Sequence, residues 1–409
     1  MSDAQVIVVG AGPAGSSTAW HLARLGVDVL VLDRAHFPRD KPCAEYLSPE
    51  ASRVLASMDA LADCEAAGAA QLAGMTVRSP NGSLIRGDFA AAHGFRGFRD
   101  RGLALPRRVL DAILLDRARA AGARVAEGVR VTDVLLGAHG AAVGVRTLDD
   151  EGGTHERRAP LVVGADGLRS VIARRLGLVR RQRLPRRMAM VAHYRGVADV
   201  GAYGEMHVER DGYAGLADVG GGMTNIAVVA PAARLRRAGK TPEAFFESWL
   251  SARAHLGARL VHAERVGAVR ATGPFAHRTR RGWASGAALV GDAADFFDPF
   301  TGEGIYAALR GGELLASYAA AAVGASGRAQ ADAALTAYDG ERRRIFGGKW
   351  RVERLVGFAV AMPWLMNRAA AALGRRKDLA DLFVGVAGDF VPPREVLSLR
   401  YLLRLVATI

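Results

Sequence analysis

Glycines at 10, 12 and 15 and a carboxylate at 33 are the residues near the N-terminus whose types and spacing match a definite chemical task. Gly10-Ala-Gly12-Pro-Ala-Gly15 has the G-x-G-x-x-G spacing that seats a dinucleotide pyrophosphate. Gly10 allows the tight turn, Gly12 lets the backbone approach the phosphates, and Gly15 lets a helix pack close on a strand. Asp33 follows within the roughly 20 residues at which an acid grips the adenosine ribose hydroxyls. Pro13, Ala14 and Arg34 flank these groups and join them as expected cofactor contacts. Two later acids have a related setting: Asp166-Gly167 and Gly291-Asp292 each follow a short apolar run.

These residues can act together only if particular elements deliver them. Gln5 to Val9 is wholly apolar after its first residue and predicts a buried parallel strand, and Ser16 to Leu25 predicts the helix after it. The N-terminus of that helix offers free N–H groups and a positive partial charge to phosphate. Val27 to Leu32 predicts a second strand ending at Asp33. Pro160-Leu-Val-Val-Gly164 repeats the buried-strand pattern, with a helix expected to about Leu176. Asp166 then stands at a strand's carboxyl end, where ligands bind in open α/β sheets, although Asp-Gly also serves as a plain turn. Gly286 to Asp292 predicts a further short strand, followed by a Pro/Gly loop and a long helix.

With 409 residues, the chain can bury two or three lobes. Apolar residues make up 50% and charged residues 23%, which describes a globular protein and excludes a disordered chain or a membrane bundle. The net charge of +14 is carried by Arg, because Lys occurs only at 41, 240, 349 and 377. That excess suits an anionic cofactor, an acidic carrier or an anionic membrane surface, or an Arg-rich solvated exterior. No basic run is interleaved with aromatics, so nucleic acid is not expected as a partner. Cys43 and Cys64 are the only cysteines, which fits a reducing cytoplasm and excludes a thiolate zinc site. No signal peptide and no metal site are expected, and no apolar run reaches the roughly 18 residues of a spanning helix. The expected location is cytoplasmic or peripheral to the membrane.

The rest of the chain divides by texture. Ala35 to Pro49 is a loop with prolines at 38, 42 and 49, and it ends at a helix start with Ser48 as N-cap and Pro49 at the first turn. Ala73–Ser79 and Ser83–Gly87 predict a hairpin around Asn81-Gly82. Leu103 to Arg107 leads into a helix over 108–120, and strands are expected near 123–126, 129–136 and 141–147. An Arg-rich connector over 180–187 opens a section with strands near 188–197, 204–208, 213–218 and 223–230 and a helix near 242–254. His193, Tyr194, Tyr203, His207 and Tyr213 lie there and are expected to pack or line a rim. The tail from 330 is helical and includes an apolar piece, Leu355 to Met366, broken by Pro363 and too short to cross a bilayer. It is expected to pack on the core, roof a pocket or dip into a membrane interface.

Several of these stretches resemble the geranylgeranyl reductase family, flavoproteins related to para-hydroxybenzoate hydroxylase. Arg39-Asp-Lys-Pro-Cys43-x-Glu45-x-Leu-Ser-Pro is similar to that family's K-x-C-G-[GDE]-x-L-(S/T)-P segment and departs from it at Ala44. Arg107 matches an Arg in a v-x-R-x-x-L-D pattern, Asp166-Gly167 a second cofactor motif, and Gly291-Asp292 with Pro299-x-Thr-Gly302-x-Gly304-Ile305 a third. The resemblance implies FAD, with Arg107 at its phosphates and Asp292 on the ribityl hydroxyls. It also implies that the helix beginning at Gly302 and Gly304 aims at the pyrimidine, while Lys41, Cys43 and Ala44 skirt the ring. A helix N-terminus stabilises nearby negative charge by roughly 0.3–1 kcal/mol, up to about 2 when partly buried.

The implied architecture is α/β. A Rossmann-type FAD-binding domain (1–72, 101–180, 271–330) carries an inserted β-sheet substrate domain (hairpin 73–100 and sheet 181–270) and a helical C-terminal segment (331–409). With no second G-x-G-x-x-G and no C-x₄-C pair, two-dinucleotide reductases are disfavoured, and NAD(P)H is expected as electron donor without a Rossmann domain of its own. Halogenases related to the family need a W-x-W-x-I-P segment and a tunnel lysine. Trp occurs only at 20, 249, 283, 350 and 364, and no Lys lies between 41 and 240.

The favoured reaction is reduction of a C=C bond in an isoprenoid, lipid or polyketide-type molecule, with Cys43, Glu45 or Tyr46 as proton donor. The alternatives are oxygen-dependent hydroxylation of an aromatic or polyketide in a dry pocket, and a flavin-binding protein that docks on a membrane or acyl carrier without turnover.

Overall fold

The structure is a computed structural model that describes residues 2–90, 93–180, 187–275 and 277–407. Most of the Arg-rich connector, 181–186, lies outside the described residues.

Val6–Val9 is buried along its whole length because it has a strand on each side, long helices over one face, and an antiparallel sheet with the short helix Val171–Arg175 over the other. It pairs in parallel with Val29–Leu32 and with Leu161–Gly164, Val8 standing opposite Val31 and Val163. A strand in that position has no solvent face, which is why its sequence does not alternate. Arg124–Ala126 extends one side of the sheet. Ala287–Leu289 extends the other in parallel, and antiparallel Trp283–Ala284 closes that edge.

Pro13–Arg24 follows the glycine turn and crosses the long Gly304–Val323 helix at close range. Ser17 Oγ donates to the Leu309 carbonyl at 2.7 Å. Gly312 makes the approach possible, since a Cβ there would lie 2.6 Å from Thr18 N and 2.8 Å from Ser17 Oγ. Gly312→Val should therefore force the helices apart and cost about 1–3 kcal/mol. An unchanged urea midpoint would show that the crossing can relax.

The second layer is a seven-stranded sheet in the order Glu264–Thr272, Arg187–Arg195, Met223–Pro231, Gly212–Asp218, Tyr203–Glu209, Gly74–Arg78, Leu84–Asp88. The hairpin around Asn81-Gly82 docks on it through a parallel pairing with Tyr203–Glu209. Two strands carry no sequence signal. Glu264–Thr272 is an edge strand with most residues exposed, and Thr154–Arg158 is exposed throughout. Neither buries a face, so neither has an apolar alternation to read. Thr154–Arg158 completes a separate antiparallel sheet with Ala142–Leu148 and Arg130–Leu136.

Regular helix after Ser48 begins at Ala51, two residues later than expected. Ser48 Oγ still accepts from Ala51 N–H at 3.2 Å, the contact a capping serine makes. In the tail, Arg328–Ala361 ends at Met362, and Pro363 opens Pro363–Arg375. The residue before a proline disfavours helical geometry, and the two helices meet at 113°. No single helix among the described residues is long and apolar enough to cross a membrane.

Candidate functional site

Three turns meet at the carboxyl edge of the parallel sheet. Gly10 adopts φ +101°, and a Cβ there would stand 2.6 Å from the Ala165 carbonyl oxygen, so the first turn touches the backbone just before Asp166. Gly15 lies so close to the Gly10 carbonyl that a Cβ would fall 1.7 Å from it. Gly291 (φ +61°) would place a Cβ 2.9 Å from Ala14 Cβ, which brings the third turn against the first. A Cβ on Gly12 would meet only the guanidinium tips of Arg107 and Arg39, each at 3.7 Å, so this glycine faces a basic cradle.

The charged groups around that cradle order one another: Arg107 and Asp111 are buried, Arg39, Asp166 and Asp292 are partly buried, and Lys41 is exposed. Arg107 reaches Asp111 through two bonds of 2.7 Å, and Arg39 Nη1 lies 2.8 Å from the same carboxylate. Although the residue is exposed, the protein atoms crowded around it, then the neighbouring Arg107, lower the Lys41 ammonium below its ordinary range. Burial raises the Asp292 carboxyl, against the opposing pull of Lys41 and Arg107. Lys41 Nζ would stand 3.4 Å from a Cβ on Gly167. Asp166 Oδ2 accepts from Val171 N–H at 2.6 Å, whereas its buried Oδ1 has no protein partner and its carboxyl is raised by burial. Asp33 accepts from Ala11 N–H (2.7 Å) and Ala35 N–H (2.9 Å), and Arg34 is exposed beside it.

These features fit FAD: an open basic cradle for phosphate at a helix N-terminus, an orphaned carboxylate oxygen for a hydroxyl, and a carboxyl at 292 whose burial favours a donor partner. Asp111 and Arg39 were not read as site residues in the sequence. The four-residue spacing of Arg107 and Asp111 on one helix was the available signal.

The Cys43 loop lies across from Pro299-Phe-Thr-Gly302. A Cβ on Gly302, where φ is +72°, would meet the Tyr46 ring at 2.6 Å, so Tyr46 packs directly on that loop. Its hydroxyl reaches the Ala387 carbonyl at 3.4 Å, and burial, then Glu303, holds it well above its ordinary range. Burial likewise raises the Cys43 thiol, whose Sγ accepts from Glu45 N–H at 3.3 Å.

Glu45 differs from its neighbours. Buried and held at φ +62°, it accepts from Arg107 N–H (2.8 Å), His193 Nε2 (2.6 Å) and Asn225 Nδ2 (2.9 Å). Asn225 also donates to the Cys43 carbonyl at 2.9 Å. The carboxylate thus ties this loop to the Arg107 helix and to the seven-stranded sheet. Of the five residues expected to pack or line a rim, His193 is the one that reaches the site. Tyr194 stacks near Phe246, Tyr203 donates to Asp88, His207 pairs with Glu205, and Tyr213 donates to Asp298.

The bond to Glu45 raises His193 above its ordinary 6.5. The stability this pairing contributes is complete below that value and is lost as pH climbs through the higher folded value. His193→Gln should flatten the fall in urea midpoint above pH ~6.5, and a slope identical to the parent's would show that the pair does not titrate.

Two apolar cavities lie beside the loops. One reaches Ala44, Tyr46, Asn225, Pro299 and Gly302. The other reaches Glu303, Val352 and Phe383 under the C-terminal helices. Met75, Met206 and Phe300 line both, so the two abut. Glu303 contacts Lys349 at 3.1 Å, and Lys349 also pairs with Asp389. Burial raises Glu303 and, together with Glu303, holds neighbouring Glu353 well above the usual carboxylate range. No local pattern announces this cluster, because Glu303, Lys349 and Asp389 are far apart in the chain.

The profile of the FAD binding domain family matches residues 3–352. Digeranylgeranylglycerophospholipid reductase 1 of Methanopyrus kandleri is 34% identical over 331 residues, spanning 78% of this chain and 80% of that protein. Menaquinone reductase of Mycolicibacterium smegmatis is 33% identical over 329 residues, spanning 76% of this chain and 75% of that protein. Among solved structures, the flavin-dependent brominase Bmp2 superposes with a TM-score of 0.84 at 21% identity, covering 99% of this chain and 98% of that one. At that identity the likeness is one of fold. The match over most of the chain, with three turns gathered around a phosphate cradle, makes this chain an FAD-dependent oxidoreductase belonging to the geranylgeranyl reductase-like flavoproteins.

Proposed function

We propose that this enzyme reduces a carbon–carbon double bond in a hydrophobic molecule of lipid or quinone type, drawing electrons from NAD(P)H. The observation that carries this reading is the pair of abutting apolar cavities, which begins at Ala44 and Gly302 and continues to Val352 and Phe383. An extended apolar chain laid along these side chains would bury its methylenes, each contributing about 0.8 kcal/mol. Met75 and Met206 at the junction can adjust to its shape. The relatives named for a digeranylgeranylglycerophospholipid and for menaquinone support the substrate class.

In this reading Arg107 and Lys41 hold the FAD phosphates at Gly10, Gly12 and Gly15. Asp33 takes the adenosine ribose, Asp292 the ribityl chain, and the Gly304–Val323 helix start faces the pyrimidine. Bound FAD supplies the two-electron chemistry. The chain's own residues shape the cavity and keep a proton on the Cys43 thiol and the Tyr46 hydroxyl, both held protonated by burial. Glu45, occupied by three donors, positions the loop that carries them. Both cysteines are free, which agrees with a reducing cytoplasmic setting. Delivery of such a substrate calls for contact with a membrane surface or an acyl carrier.

The test is anaerobic. Chemically reduced enzyme should be reoxidised by a prenyl lipid or a menaquinone in the absence of oxygen, with the saturated product recovered. Reoxidation that requires oxygen and yields a hydroxylated product would replace this reading with hydroxylation.

A further inference from the structure

Helices on the outside of a globular protein turn their apolar stripe inward. The last described helix, Leu399–Val406, does the reverse. Tyr401 is its buried residue, while Leu399 (72% exposed), Leu403 (59%) and Val406 (64%) form a stripe at helical spacing that faces outward, with half-exposed Leu402 beside it. This helix packs against Pro363–Arg375, next to the elbow at Met362. There the outer face of the Arg328–Ala361 helix presents Leu355 and Phe358, and the following helix presents Trp364; Phe358 and Trp364 are each 60% exposed.

The charges around this face are predominantly basic, with Asp378, paired to Arg404 and Arg376, and Glu395 as the acids beside it. Residues 354–377 contain no Asp or Glu and five Lys or Arg, and 396–409 contain no acid either. Arg351, Arg354, Arg368 and Arg400 are exposed. A second copy docked face to face would bring these arginines together. An anionic lipid surface would instead neutralise them while the aromatic and leucine side chains entered the acyl boundary. The Arg328–Ala361 helix connects the face to the site, since Val352, one turn before the exposed Leu355, lines the deeper cavity.

We infer that the elbow at Met362 and the outward stripe of Leu399–Val406 form a docking face for an anionic lipid bilayer, placing the C-terminal end of the cavity at the membrane. This inference rests on the reading of a lipid-type substrate. The test uses the FAD-loaded full chain and flotation with vesicles of phosphatidylglycerol and phosphatidylcholine, or of phosphatidylcholine alone. The protein should float with the anionic vesicles, and salt should weaken the binding. Phe358→Ser with Trp364→Ser, and separately Leu403→Asp, should lower the partition by roughly tenfold or more. FAD content and turnover of detergent-dispersed substrate should remain within about twofold of the parent, as expected for surface positions.

Failure of the parent to float, or equal flotation of the variants, would overturn the inference. So would a concentration-dependent dimer in sedimentation that the same variants abolish. Turnover of dispersed substrate reports separately on the proposed reaction, so a docking face without alkene reduction, or reduction without docking, identifies which reading has failed.

Discussion

Asp292→Ala should fold, keep or gain thermal stability without cofactor, and leave gel filtration largely colourless. The carboxyl lies at the tip of the turn after Ala287–Leu289, partly buried, with its ionised form penalised by that burial and relieved only in part by Lys41 and Arg107. Removing it from the empty protein removes a desolvation cost, so the apoprotein should not suffer. With FAD present the balance reverses, because a hydrogen bond from a ribityl hydroxyl to a charged group is worth about 1.5–3 kcal/mol. That corresponds to roughly 10- to 150-fold weaker FAD binding. Flavin fluorescence titration gives the affinity, and melting of the apo form gives the control. A variant that binds FAD as tightly as the parent would remove Asp292 from the cofactor site.

The second large effect lies in the C-terminal helices. Lys349→Met should destabilise the protein by about 3–5 kcal/mol, because it strands two buried carboxylates, Glu303 and Asp389, without their shared counter-charge. Loss of the lysine stem alone would cost far less, since methionine replaces most of it. The loss should be smaller in acid. A carboxyl whose folded pKa is raised binds its proton more tightly when folded, so it opposes folding increasingly as pH rises above its ordinary value of 4.5. Neutralising both partners in the same chain, as Glu303→Gln with Asp389→Asn, should recover much of the loss. Urea unfolding of the single and triple variants measures both quantities. Equal stability of Lys349→Met and the parent would mean that the carboxylates are solvated or already protonated.

The sequence was most readable where burial leaves a residue few alternatives. Val6–Val9 and Leu161–Gly164 announce themselves because a strand covered on both faces must be apolar throughout, and Gly10 and Gly15 because the backbone leaves no room for a Cβ. The turns bearing Asp33, Asp166 and Asp292 inherit their positions from those strands. Edge strands were hidden for the opposite reason: Thr154–Arg158 has no buried face to pattern. The links that complete the site, Glu45 to His193 and Asn225, and Lys349 to Glu303 and Asp389, join residues distant in the chain, and local periodicity carries no record of such pairings. The expectation that Glu45 donates a proton came from its place in the Cys43 loop, and local sequence carried no sign of the three hydrogen bonds that it makes there.

The order of strands in the parallel sheet also bears on how the protein is made. Val6–Val9 emerges from the ribosome early and can pair with Val29–Leu32, but its other neighbour, Leu161–Gly164, is synthesised much later, and Ala287–Leu289 later still. Until then the nascent chain exposes an unpaired apolar edge, the kind of surface that chaperones shield and that aggregates when they do not. Coenzyme capture must therefore follow translation of most of the chain, and expression in flavin-starved cells should yield intact apoprotein rather than fragments arrested at the first glycine turn.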